Sequence, residues 1–267
     1  MVENRTNERS WRPDAADTKQ AIVEAGYQLI ADEGVALAAD RVSIERAAAM
    51  AKVSRAAAYK LWSGLDQRPQ DAFRNDVICF AAEDAVLIGS GSYDATSAAV
   101  SEMLDGLTPI SGLDAPERRE AFRTIVKTGA RENFRQLVDR PEWRVHLATL
   151  AAVRSQRGGL DPAHGAVSDA IRRGSERAAK TYAPLYVDVT ERFGMRLRAG
   201  YEIDHFAIAA GALAEGLVLR ALTSRFIDDI EGPYADDGSW HLFAVGLLGL
   251  VREFFEPHPE IAWATTI

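Results

Sequence analysis

Arg55, Tyr59 and Lys60 lie close together in KVSRAAAYKLW, residues 52–62, around three consecutive alanines. A guanidinium, an ammonium and a phenol spaced in this way are groups that bind phosphates or the edges of bases, and alanine adds no bulk to hold a partner away. The surrounding charge agrees. Between residues 41 and 60, Arg41, Arg46, Lys52, Arg55 and Lys60 face Glu45 alone, although the whole chain carries a net charge of −8. Positive and negative residues balance over 1–68, so the excess acidity belongs to 69–267. A small basic patch in an acidic protein is a pattern for local contact with phosphates, and a solvated charged face has the same composition.

Other chemistries find less support. The sequence has no HExxH, GxSxG or Walker loop, and no carboxylates clustered at ligand spacing. GSGS at 89–92 follows a helical pattern, where a dinucleotide site needs a strand. Of the five histidines, His164 and His258 fall in proline-flanked loops, and His146, His205 and His241 on separate predicted helices. No enzyme activity, metal or cofactor is expected. Cys79 is the sole cysteine, which excludes an intrachain disulfide, and its apolar surroundings predict a buried hydrophobe.

The elements that would position the basic cluster are helices. The chain has 267 residues, 47% of them hydrophobic, with abundant alanine and few β-branched runs, so an all-α protein with a sizeable core is expected. A first helix runs from Asp14 or Asp17 to Gly34, with Ile22, Ala25, Gly26 and Leu29 on one apolar face. Ser43 caps a short second helix whose stripe is Ile44, Ala47, Ala48 and Ala51. Lys52 and Val53 interrupt, and Ser54 caps a third helix with Ala58, Leu61 and Trp62 facing inward. Two short helices joined by a tight turn form a helix-turn-helix, whose second helix enters the major groove. In that reading Arg55 and Lys60 meet phosphates or base edges, Tyr59 a phosphate, Ala56 and Ala57 allow close approach, and Ser43 and Ser54 cap beside the backbone. Arg5, Arg9 and Arg12 form an arm that adds contacts. Helical hairpins also serve purely structural roles, and the spacing admits both.

Longer helices are predicted over 66–89, 93–106, 115–138, 141–156, 162–195, 202–224 and 238–256, with Pro184 kinking or breaking the one that contains it. LFAVGLLGLV at 242–251 is about half the ~20 residues needed to span a bilayer, and the polar N-terminus lacks the apolar core of a signal peptide. A cytoplasmic protein without membrane contact is expected. The last two helices are apolar around much of their circumference, which calls for a second partner beyond the chain's own core. They predict a homodimer interface through Phe206, Ala210, Leu213, Leu217, Leu242, Val245, Leu247 and Leu248.

TKQAIVEAGYQLIADEG followed by SIERAAAMAKVSRAAAYKLW resembles the DNA-binding domain of the tetracycline-repressor (TetR) family of transcriptional regulators, over roughly residues 15–75. The resemblance implies a three-helix DNA-binding domain over 13–65 and a ligand-binding and dimerisation bundle over 66–267. It also implies a homodimer on a palindromic double-stranded DNA operator, and a small-molecule effector that releases it. The family's pocket lies within the bundle, where Phe122, Phe134, Trp143, Tyr182, Tyr186 and Phe193, with His146, sit on helices able to line it. The sequence departs from the family's pattern at Lys52, Ala57, Leu65, Trp62 and Ala47, and in a longer connection from Gly34 to Ser43. Lys52 replaces the turn glycine, Ala57 a frequent threonine and Leu65 a phosphate-binding lysine, and Trp62 stands for phenylalanine, its bulk filling the space that Ala47 leaves. A TetR-like dimer that has lost operator binding is the alternative these departures allow.

Overall fold

The computed structural model describes residues 14–33, 42–83, 90–107, 112–155, 162–221, 230–231 and 239–261. Among them are ten α-helices and four strands of two or three residues, so the protein is all-α in architecture. Arg5, Arg9, Arg12 and Arg41 lie outside the described residues. The chain divides into two compact units, residues 1–80 and 81–267, and the division falls inside a helix.

In the first unit, α1 (Ala15–Glu33), α2 (Ile44–Met50) and α3 (Arg55–Leu61) are followed by α4 (Pro69–Glu83), which carries the chain across the division. Ile22, Ala25, Gly26 and Leu29 of α1 are buried, so the apolar period read from the sequence is the face that packs. Gly26 is required by proximity: a Cβ there would stand 2.7 Å from Phe73 Cζ and 2.8 Å from Val77 Cγ2. Tyr27 meets Phe80 edge-on. Cys79 is half-buried rather than buried.

The second unit contains α5 (Ser90–Asp105), α6 (Ala115–Asp139), α7 (Pro141–Ser155), α8 (Pro162–Arg192), α9 (Ile203–Ala221) and α10 (Leu242–Phe254). Asp114 and Glu117 open α6 with a reciprocal capping box, each side chain accepting from the other's backbone N–H at 2.8 and 2.9 Å. Strand β1 (Met195–Leu197) pairs antiparallel with β4 (Phe255–Pro257), and β2 (Ile230–Glu231) with β3 (Ser239–Trp240). The core gathers Phe122, Phe134, Phe193, Phe206, Phe243 and Leu248 among others from α6 to α10.

Three expectations change here. Helix α8 runs on through Pro184, so of the kink or break expected there the break is absent. Pro184 and Lys180, whose carbonyl loses its helical donor, are both exposed, so water can satisfy that carbonyl. His164 lies in the first turn of α8 rather than in a loop. Phe206, Ala210, Leu247 and Leu248, expected at a homodimer interface, are at most 9% exposed and pack in the chain's own core. On α9 the outward apolar positions are instead Ile208 and Leu219, 53% and 46% exposed, with Ala212 between them. Leu213, Leu217, Leu242 and Val245 are half-buried. Among the described residues no helix is long and apolar enough to cross a membrane.

Candidate nucleic-acid interface and ligand cavity

Local capping builds the helix-turn-helix. Ser43 Oγ accepts from the Arg46 N–H and Ser54 Oγ from the Ala57 N–H, both at 3.3 Å, so each serine satisfies an orphan donor of the helix that follows it. The turn between them places Lys52 at φ 57°, the left-handed conformation a glycine would take without strain. The Ala51 N–H returns to the Ala47 carbonyl and the Val53 N–H to that of Ala48, which closes α2. Gln70 of α4 then pins the start of α2: its Oε1 accepts from the Ile44 N–H at 3.0 Å and its Nε2 donates to the Val42 carbonyl at 2.8 Å.

Helix α3 buries Ala58 completely and half-buries Leu61, and Trp62 follows at its C-cap, also fully buried. Trp62 meets Phe73 edge-on, 5.2 Å between ring centroids, and its indole N–H donates to Asp76 Oδ2 at 2.7 Å. Lys19 of α1 pairs with the same Asp76 oxygen at 2.8 Å and lies over the indole ring. Trp62 is therefore fixed by α1 and α4, and Ala47 is likewise fully buried. With this side anchored, Arg55, Ala56, Ala57 and Lys60 are exposed and Tyr59 is half-buried. Lys52 is exposed on the turn, and Leu65 is exposed at the position where the TetR pattern commonly has a lysine.

Glu45, on the first turn of α2, went unassigned in the sequence reading. Tyr59 Oη donates to Glu45 Oε1 at 2.5 Å, and Arg55 Nη2 reaches the same oxygen at 3.1 Å while its guanidinium lies 5.6 Å from the Tyr59 ring centre. The Tyr59 hydroxyl holds the Glu45 carboxyl below the usual carboxylate range, with its own backbone N–H and Arg55 acting in the same direction. In return the carboxylate raises the Tyr59 phenol. Two of the three expected DNA-contacting side chains thus begin engaged with an internal anion.

In the second unit two chambers share Asn133, Tyr182, Tyr186 and Phe243. The inner chamber, about 70 Å³, is almost wholly apolar, with Phe122, Ile125, Val126, Leu185, Val189 and Leu247 in its wall. The outer chamber, about 200 Å³, adds Trp143, His146, Ser175, Ile208 and Glu215. Phe122, Trp143, His146, Tyr182 and Tyr186 therefore line the cavity as expected from their helices. Phe134 and Phe193 do not. Phe134 packs against the His241 ring, 4.3 Å between centroids, and Phe193 against Phe122. Asn133 was missed, and it donates to the Tyr182 hydroxyl at 3.2 Å. Burial pushes the Tyr186 phenol up, so it is a neutral wall residue. His146 is 1% exposed, its Nε2 3.7 Å from Glu215 Oε1, beyond hydrogen-bond reach. Among the described residues no group of histidine, cysteine or carboxylate side chains could hold a metal ion.

A solved structure assigned to the TetR family of transcriptional regulators, from Mesorhizobium loti MAFF303099, matches with a TM-score of 0.50 and 13% identity, covering 91% of this chain and 99% of that one. The chain has the TetR-family fold. A structure of SmeT in complex with triclosan matches with a TM-score of 0.43 and 16% identity, over 94% of this chain and 97% of that one, below the level that establishes a shared fold. No protein-family profile matches the sequence, and no curated protein matches it. The TetR likeness thus rests on fold.

Proposed function

We propose that the protein is a ligand-responsive transcriptional regulator of the TetR type, acting in the cytoplasm as a homodimer on a palindromic operator. One observation carries the reading: α3 exposes Arg55, Ala56, Ala57 and Lys60 with Tyr59 half-buried beside them, on a helix capped by Ser54 and anchored from behind by Ala58 and Trp62. The small residues allow the backbone into a major groove, and the cations and phenol supply phosphate and base contacts. Self-association is supported by the outward apolar Leu219 of α9 and by Gly216, where a Cβ would meet nothing within 4 Å and a second helix could approach closely. The protein would act as a repressor, and an organic effector seated in the two chambers would release it from DNA. The test is the salt dependence of affinity for a double-stranded oligonucleotide. Each phosphate neutralised contributes about −0.9 to the slope of log K against log salt, so contacts from Lys52, Arg55 and Lys60 predict a steep negative slope. A flat response removes this mode of binding.

A second reading, a TetR-like dimer without an operator, is favoured by one observation. Glu45 occupies both Arg55 and Tyr59, and Leu65 offers no charge. Its mark is a chain that dimerises and takes a ligand yet binds no DNA at low salt.

A further inference from the structure

We propose that the outer chamber selects a lipophilic monocation, with the positive group against Glu215 and the apolar body directed into the inner chamber; this rests on the reading of the cavity as an effector site. Among the described residues lining the two chambers, Glu215 is the single carboxylate, and neither a lysine nor an arginine is present. The one histidine in the wall is His146, which is fully enclosed and stands 3.7 Å away. A ligand that closes over this chamber strips water from a carboxylate in a wall that holds neither lysine nor arginine. That step is unfavourable unless the ligand brings the compensating charge.

The rest of the wall suits such a ligand. Trp143, Tyr182 and Tyr186 contribute aromatic rings to the chamber that holds Glu215, and Tyr182 and Tyr186 lie 6.2 Å apart in a stacked pair. The faces of aromatic rings attract ammonium groups, most strongly where water is excluded. Beyond the shared residues the lining turns apolar, with Phe122, Ile125, Val126 and Leu185, which accepts a hydrocarbon segment and gives a charge no partner. The order of the two chambers therefore defines an amphiphile with a cationic head. An anionic head would meet Glu215 with like charge, and a neutral one would leave it uncompensated.

Three probes with the same eight-carbon chain isolate the head group: octyltrimethylammonium, octan-1-ol and octanoate. Each is titrated calorimetrically into the full-length protein at pH 8, where imidazoles are ordinarily neutral. The cation is expected to bind about tenfold tighter than the alcohol, and octanoate more weakly than both. Glu215→Gln, with its fold checked by circular dichroism, should shrink the preference for the cation over the alcohol to about threefold or less. The wild-type comparison stands even if that variant fails to fold. An alcohol or octanoate that binds as tightly as the cation, or a preference that survives Glu215→Gln, overturns the charge assignment and leaves the effector cavity intact. Absence of binding by all three overturns the effector reading and this inference with it.

Discussion

Replacing Glu45 by alanine should raise DNA affinity while lowering stability. For Arg55 and Tyr59 to contact phosphates they must leave Glu45, so the unbound protein resists the change by the worth of those contacts. The Tyr59 hydrogen bond, 2.5 Å to a carboxylate, is worth about 1 kcal/mol in a half-exposed setting. The Arg55 pair has side chains 74% and 35% exposed, which limits it to roughly 0.2–1 kcal/mol. Together they give about 1–2 kcal/mol, or a roughly fivefold to thirtyfold gain in affinity on removal. The gain should be larger at low salt, because Glu45→Ala also removes an anion from the surface that faces phosphates. Fluorescence anisotropy of a labelled duplex, beside urea denaturation of the same preparation, measures both effects. Stability should fall by a similar 1–2 kcal/mol, since the link between α2 and α3 is lost. Affinity that falls together with stability would refute the competition and make Glu45 a residue that pre-forms the binding surface.

Three further substitutions test the supporting structure. Trp62→Phe removes the indole donor to Asp76 and part of a fully buried ring, and should lower first-unit stability by about 2 kcal/mol in chemical denaturation. Lys52→Gly relieves a left-handed residue at φ 57° and should raise the thermal midpoint by the equivalent of about 0.5–1 kcal/mol, after the added chain entropy of glycine. Glu83 accepts from Arg173 at 2.9 and 2.7 Å and from Arg177 at 2.6 Å, and hydrogen bonding to Arg173 foremost holds its carboxyl below 4.5. A depressed folded-state pKa stabilises above the unfolded value and loses that contribution as pH falls through the folded one. Glu83→Gln should therefore cost stability at neutral pH, with the deficit shrinking below pH 4.5; a deficit independent of pH would show that charge is not its source.

The helix-turn-helix was legible because its causes are local. Ser43 and Ser54 cap within three residues, Ile22, Ala25, Gly26 and Leu29 repeat at the helical period, and the unusual Lys52 sits in a turn whose conformation its neighbours dictate. Long-range partners left no such trace. Gln70 reaches the start of α2 from 26 residues away, and Glu45 and Tyr59 meet across 14. Neither pairing has a periodic signal. Helix α9 shows a different limit. Its wide apolar face announces two partners, yet composition does not say which side the chain's own core takes. The core took Phe206, Ala210 and Val218, leaving Ile208, Ala212 and Leu219 outside. Aromatic residues divided in the same way, Tyr182 and Tyr186 lining the cavity while Phe134 filled the core beside His241.

Selection of binding sites from random double-stranded DNA tests operator recognition by α3, with Arg55→Ala combined with Lys60→Ala as the comparison. Operator recognition requires that the unaltered protein enriches a site of twofold symmetry and that the double variant enriches none. Failure of the unaltered protein to enrich any sequence at low salt, or equal enrichment by the double variant, would contradict it.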